Sequence, residues 1–280
     1  TGPRSHQWRA DAPATIAYAE AQDGGDAGAD ADIRDRLYLL AAPFDGTPVE
    51  MVALPLRFSG LVWGDDDTAM AIDYYWQTRQ INWYRIDPSA PGAAPETVFS
   101  YSFEDRYNNP GSPMTAGQGA SPEGNRPVVR RFSLATGEAT ERFRSEAPFY
   151  ESPGDFVGEP GGMLLTRRET VTDPPNYVMR DLRSGDVQAV TDFPHPYPEL
   201  ANVQKETIEY EREDGVPLTA TLYLPPGYDA ARDGPLPTFV WAYPTEFKSA
   251  AAAGQRSDSP YQFTYVSYWG AVPFVTQGYA

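Results

Sequence analysis

From residue 1 to about 200 no stretch carries apolar residues at the three- and four-residue spacing of a long amphipathic helix. Short segments alternate apolar with polar residues, and clusters of Gly, Pro, Asp and Asn separate them, as in a sandwich or a propeller. The 28 prolines and 13% aromatic residues fit a β-rich chain with many turns. A weak internal repeat favours the propeller over an irregular β-sandwich. Trp8-Arg-Ala-Asp11 precedes the alternating run Thr15 to Glu20, and Trp63-Gly-Asp-Asp66 precedes Ala69 to Tyr75. A second alternating run follows each, Asp35 to Leu40 and Gln80 to Ile86, and the tryptophans stand 55 positions apart. That is a reasonable length for one elaborated four-stranded blade, a small sheet that buries its faces against its neighbours.

Two more units continue the pattern. Arg131 to Thr140 reads as strand, Gly-containing turn and strand. Gly161 to Thr166 opens another, whose later hairpin turns at Arg183-Ser-Gly-Asp186. About four blades are expected over 1–200. Phe193-Pro-His-Pro-Tyr-Pro198 reads as a stiff, extended linker, because alternating prolines hold the chain open. Beyond it, Lys205 to Glu211 and Val216 to Leu224 form a hairpin around Asp214-Gly215. Pro225-Pro-Gly227 stops the second strand, since proline cannot donate to a ladder. Phe239-Val-Trp-Ala-Tyr243 is a short apolar run of the kind expected for a strand covered on both faces. Tyr265 to Val272 reads as a short helix ended or kinked by Pro273, and Gly278-Tyr-Ala280 as the start of another strand.

The string Leu222-Tyr-Leu-Pro-Pro-Gly-Tyr228, a polar loop, Pro235-Leu-Pro237, a buried strand and then Tyr243 resembles the opening of the catalytic domain in the prolyl oligopeptidase family of serine peptidases. Trp241 to Lys248, Gly254-Gln255 and Ser259-Pro-Tyr261 resemble its glutamyl endopeptidase branch, as does Glu104 to Pro113. The resemblance implies a mostly β chain: a partial β-propeller over 1–200, then the N-terminal start of an α/β-hydrolase domain over 201–280. The chain, opening at Thr1 and closing at Ala280, reads as a piece of a longer one. It also implies Ser-His-Asp acyl-enzyme chemistry on a peptide or protein substrate, with a possible preference for Glu. A dipeptidyl- or acylaminoacyl-peptidase of the same family, or a propeller that only binds, stands beside that reading.

An α/β-hydrolase presents its nucleophile in Gly-x-Ser-x-Gly, with the Asp and His after it. No such string occurs in these 280 residues, and His195 precedes the whole hydrolase segment, so His195 reads as structural. By resemblance, Tyr243 supplies a hydroxyl to the oxyanion hole; the alternative is a packing Tyr beside Trp241. Many relatives have glycines after this Tyr, where this chain has Pro244, which carries no N–H to donate. Selectivity for Glu needs a cation, and Arg167 and Arg168, closing the run Met163 to Thr166, are the candidates; the alternative is two surface arginines. Glu104 to Pro113 either faces the substrate chamber or is an ordinary turn.

Composition sets further limits. There are no cysteines, so thiolate chemistry and disulfides are out. His6 and His195 stand far apart without companion ligands, so no metal site is expected, and no cofactor is called for. Asp23 to Asp32 has the composition of a calcium loop but not the ligand spacing, and reads as a solvated loop. A net charge of −17 argues against nucleic acid as a partner. No apolar run is long enough to span a membrane and no signal peptide is visible. Compartment and oligomeric state stay open.

Overall fold

The computed structural model describes residues 2–65, 67–112, 119–158, 161–243 and 245–280. Asp66 of the second Trp motif, Pro113 and Pro244 lie outside the described residues. The chain divides into two compact units, Thr1–Phe103 and Glu104–Ala280.

The first unit holds two four-stranded antiparallel meanders. Strands β1 (Arg4–Trp8), β2 (Thr15–Ala21), β3 (Asp35–Ala41) and β4 (Val49–Leu54) pair in chain order. So do β5 (Arg57–Asp65), β6 (Thr68–Tyr75), β7 (Gln80–Ile86) and β8 (Glu96–Ser102). The Trp repeat maps onto this symmetry: Trp8 faces Ile16 across β1–β2, and Trp63 faces Ala69 across β5–β6. The second strand of each sheet carries a buried Ala-x-Ala, Ala17/Ala19 and Ala69/Ala71. Side chains that small let one apolar cluster run across both sheets, with Leu37, Leu39, Met51, Val52, Leu54, Tyr84 and Ile86 filling it. Leu37 and Leu54 are fully buried, each worth about 1.5–3 kcal/mol.

Buried carboxylates pin the seam between these sheets. Asp35, at the start of β3, accepts from Arg57 Nη1 (2.8 Å), Arg4 Nη2 (2.5 Å) and the Phe58 N–H (2.6 Å). Asp23 accepts from Arg34 (3.0 Å), from Arg57 and from the Gly25 N–H (3.0 Å). Burial pushes the Asp23 carboxyl up, but Arg57, the Gly25 N–H and Arg34 outweigh it and hold the group below the usual range. Arg34 also lies 4.3 Å over the Tyr75 ring, and the Tyr75 hydroxyl donates to Ala27 O. The first acid of the 23–32 loop is thus held by two arginines, while residues 24–28 are exposed, as expected of a solvated loop.

In the second unit, β9 (Val128–Phe132) and β10 (Ala139–Arg144) form a hairpin. Strands β11 (Tyr150–Val157), β12 (Met163–Glu169), β13 (Asn176–Asp181) and β14 (Val187–Ala189) form a third four-stranded meander. β15 (Gln204–Glu211) and β16 (Pro217–Leu224) form the expected hairpin, with Gly215 at φ 84° in its turn. Helix α1 (Ala230–Asp233) follows, capped by Asp229, and then α2 (Ala250–Ala253), capped by Ser249.

Two expectations fail here. Phe239 to Tyr243 is not a buried strand: Val240 is 82% exposed and Tyr243 78%. An apolar run becomes a buried strand only when its backbone is paired and both faces are covered. Here the described residues give one bridge, Phe239 N–H to Ala280 O (2.8 Å) and Ala280 N–H to Pro237 O (2.9 Å), plus a stack of Phe239 on Phe274. That bond pair, shared by one residue with two alternate residues opposite, is the parallel pattern. The second failure is the helix expected at Tyr265 to Val272. Instead a 3-10 helix runs Val272–Gln277, because Pro273 suits a first turn, where its missing N–H costs nothing.

Replacing Asp35 with Ala should cost the chain about 3–5 kcal/mol in chemical denaturation, since it leaves Arg57 and Arg4 facing a buried void. Replacing exposed Glu96, whose nearest cation is 3.9 Å away, should cost under about 1 kcal/mol and serves as the control.

Candidate functional site

Tyr243 ends the run that pairs with Ala280. Its ring stacks on Trp241 (centroids 6.5 Å, 20° between planes), yet most of its surface is open. Trp241 is itself 54% exposed, so the pair is a surface stack and not a core contact.

The segment after Tyr243 is held from a distant part of the chain. Glu104 is buried, and its two carboxylate oxygens accept from the Lys248 N–H at 3.1 and 3.2 Å. Gln255 Oε1 accepts from the Arg106 N–H (2.6 Å) and the Tyr107 N–H (3.3 Å), while its Nε2 donates to Asp105 Oδ1 (2.9 Å). The Arg256 N–H donates to the Tyr107 hydroxyl (2.9 Å). Hydrogen bonds from Asn108 and Gln255 hold the Asp105 carboxyl below its usual range. Two close approaches complete the fit. A Cβ on Gly254 would lie 2.8 Å from Pro217 Cγ and 3.0 Å from its carbonyl oxygen. Gly124, at φ +112°, would place one 2.9 Å from Pro260 Cδ.

Glu104 to Ser112 is thus more than an ordinary turn. It docks onto 248–256, so the two stretches whose strings drew attention in the sequence bind each other. Sequence reasoning missed this pairing. Its only signal was that both strings resemble the same branch of the family, and nothing local joins residues about 150 positions apart.

Arg167 and Arg168 are neighbours on β12 and face opposite sides of the sheet, as period-two strands require. Arg168 donates from Nε to Glu151 Oε2 (2.9 Å) and lies 4.4 Å over the Phe149 ring. Glu151 is buried and also accepts from Arg180 (3.1 and 2.9 Å) and the Thr166 hydroxyl (2.6 Å). Burial pushes Glu151 up, but Arg180, Thr166 and Arg168 together hold it below 4.5. Arg167 lies on the other face, 3.7 Å from buried Glu169, with its side chain 42% exposed. Glu169 accepts from the Phe263 N–H (3.1 Å) and the Tyr265 hydroxyl (2.5 Å). Burial, and then the Glu169 carboxylate, push the Tyr265 hydroxyl well above its usual range. The structure thus separates the two arginines and does not bring either to Tyr243 by a direct contact.

His195 accepts the Tyr197 N–H on Nδ1 (3.0 Å) and packs 5.0 Å from the Phe263 ring, which fits the structural part expected of it. Nearby Lys205 donates to Gln262 O (2.9 Å), and burial lowers its pKa. Among the described residues no group of three His, Asp or Glu side chains is placed to hold a metal ion, and no helix is long and apolar enough to cross a membrane.

Arg168→Ala should lower stability by about 1.5–3 kcal/mol, the worth of a hydrogen bond to a buried charge. Arg167→Ala should lower it by no more than about 1 kcal/mol. Because Glu151 is depressed in the fold, its contribution is full above pH 4.5 and is lost as pH falls through its lowered value. Glu151→Gln should therefore flatten the acid limb of a stability–pH curve measured by urea unfolding.

No family model matches the chain. Among curated proteins it is 38% identical over 316 aligned residues to a "Probable glutamyl endopeptidase, chloroplastic" of Arabidopsis thaliana, and 37% identical over 314 to a protein of the same name from Oryza sativa subsp. japonica. Both alignments cover all of this chain but 33% and 34% of the relatives, so the chain spans about a third of their length. Among solved structures, oligopeptidase B from Trypanosoma brucei aligns over 80% of this chain and 32% of its own, with a TM-score of 0.52 at 14% identity. The acylaminoacyl peptidase of Pyrococcus horikoshii aligns over 98% of this chain and 38% of its own, with a TM-score of 0.50 at 14% identity. These likenesses agree with a mostly β fold, a partial propeller followed by the opening of an α/β-hydrolase. The motifs of the β16-to-Tyr243 stretch and the alignments over the whole chain converge: this chain is similar along all of its length to the probable glutamyl endopeptidases, in keeping with its resemblance to the prolyl oligopeptidase family.

Proposed function

We propose that this chain works within a serine-type peptidase that cleaves peptides or proteins through an acyl-enzyme. Residues 1–200 supply blades of the propeller, and 201–280 open the catalytic domain. The reading rests on one observation above all. Tyr243 stands exposed at the carboxyl end of a segment that pairs in parallel with Ala280, and open α/β sheets bind their ligands at the carboxyl ends of their strands. A phenol there can donate to the oxyanion of a tetrahedral intermediate, which is charge stabilisation reserved for the transition state. The serine, its base and the orienting carboxylate are to be sought elsewhere in the coding sequence, since no Gly-x-Ser-x-Gly occurs here. Of the two candidate cations for an acidic side chain of the substrate, Arg167 fits better, because Arg168 is committed to Glu151.

Two measurements test this. The complete coding sequence should contain Gly-x-Ser-x-Gly followed by Asp and His, and a fluorophosphonate should label that Ser in the full-length protein; absence of the motif and of labelling overturns the reading. In the same protein, Tyr243→Phe should lower kcat on the order of 10²–10³-fold with KM little changed. Unchanged kcat with a lowered melting temperature would make Tyr243 a packing residue.

A further inference from the structure

We infer that Glu104 is a positioning residue for Tyr243, acting through the turn that follows it. This inference rests on the oxyanion part proposed for Tyr243.

Tyr243 has little packing of its own: it is 78% exposed and touches Trp241, which is also half open. A donor aimed at a developing charge must be held within a fraction of an ångström, so something else has to fix the backbone that carries it. On the amino side that is the single bridge to Ala280. On the carboxyl side, among the described residues, the Lys248 N–H donates to Glu104 five residues on.

That bond has the features of a fixed point. The carboxylate is buried, and both of its oxygens lie within hydrogen-bond distance of the one N–H. The next residues are locked as well. Ser249 caps α2 by accepting from the Ala252 N–H (3.3 Å), and Gly254 seats against Pro217, where no side chain fits. Gln255 then grips the backbone at Arg106 and Tyr107. From 248 to 256 the chain is fastened to 104–107 at both ends and has one register.

The chemistry expected follows from geometry alone. Glu104 need not touch substrate. Removing its carboxylate frees the turn at Lys248 and lets Tyr243 drift, which costs transition-state stabilisation but not ground-state binding. Glu104→Gln keeps one carbonyl oxygen to accept from the Lys248 N–H and should retain part of the rate.

The test is a double-mutant cycle in the full-length enzyme, with single variants Glu104→Ala and Tyr243→Phe and the double variant. Glu104→Ala should lower kcat on the order of 10- to 100-fold with KM nearly unchanged. The double variant should be no slower than Tyr243→Phe alone, within about three-fold, because a hydroxyl that is absent cannot be misplaced. Glu104→Gln should fall between Glu104→Ala and the parent. If Tyr243→Phe slows the enzyme but Glu104→Ala is silent, or if the two losses multiply, this inference is overturned while the part proposed for Tyr243 stands. If Tyr243→Phe keeps the parental rate, the part proposed for Tyr243 fails first, and this inference with it. Should Glu104→Ala fail to fold by circular dichroism, Gln255→Ala releases the far end of the same segment, and the same cycle with Tyr243→Phe decides.

Discussion

Buried carboxylates that accept from several donors hold this protein together. Short meanders leave backbone N–H groups stranded where one sheet ends and the next begins, and a buried N–H without a partner is costly. The fold answers with acids drawn inside. Asp35 takes the Phe58 N–H along with two arginines, Glu104 takes Lys248, and Glu169 takes Phe263. Asp73 accepts from the Leu56 N–H (3.0 Å) and Asn82 (2.9 Å). Basic partners are almost all arginine, 22 Lys plus Arg with only Lys205 and Lys248 as lysine. A planar guanidinium can serve two acids at once, as Arg57 does for Asp23 and Asp35. The net charge of −17 therefore conceals two populations: a solvated majority and a handful of acids on which the sheets are hung.

Much of the architecture was legible because strand chemistry is local. The Trp8 and Trp63 repeat fell at matching places in two sheets, Gly137 and Gly215 turned the hairpins they marked, and β7 and β13 began where the alternation began. What failed depended on neighbours. Phe239 to Tyr243 has the composition of a covered strand, but cover is supplied by other segments, and the described residues provide little of it. Tyr265 to Val272 reads as a helix stopped by Pro273, but Pro273 starts one more readily than it ends one.

Site residues divided in the same way. Tyr243 was singled out by the family resemblance, which fixes its place at the end of an apolar run but not its surroundings. The parting of Arg167 from Arg168 was implicit in the two-residue period of a strand, yet which face held Glu151 depended on β11 and β13 arriving from elsewhere. Glu104 was invisible as a partner of Lys248. A Glu in a Pro- and Asn-rich loop carries no mark of burial, and composition does not report a bond across 144 positions.

That separation has a consequence for how the molecule is built in time. Each meander pairs strands that follow one another in the chain, so its contacts are local. Joining 104–107 to 248–256 closes a loop of about 150 residues. Loop-closure entropy grows only slowly with length, by about 0.6 kcal/mol per doubling, but the ordering must precede the reward. The junction therefore spans far more sequence than any of the strand pairings, which join consecutive strands. A nascent chain emerging from the ribosome makes Glu104 long before it makes Lys248, so this hydrogen bond waits on the synthesis of residue 248. The turn that follows Tyr243 therefore gains its Glu104 anchor only when two parts of the chain 144 positions apart have met.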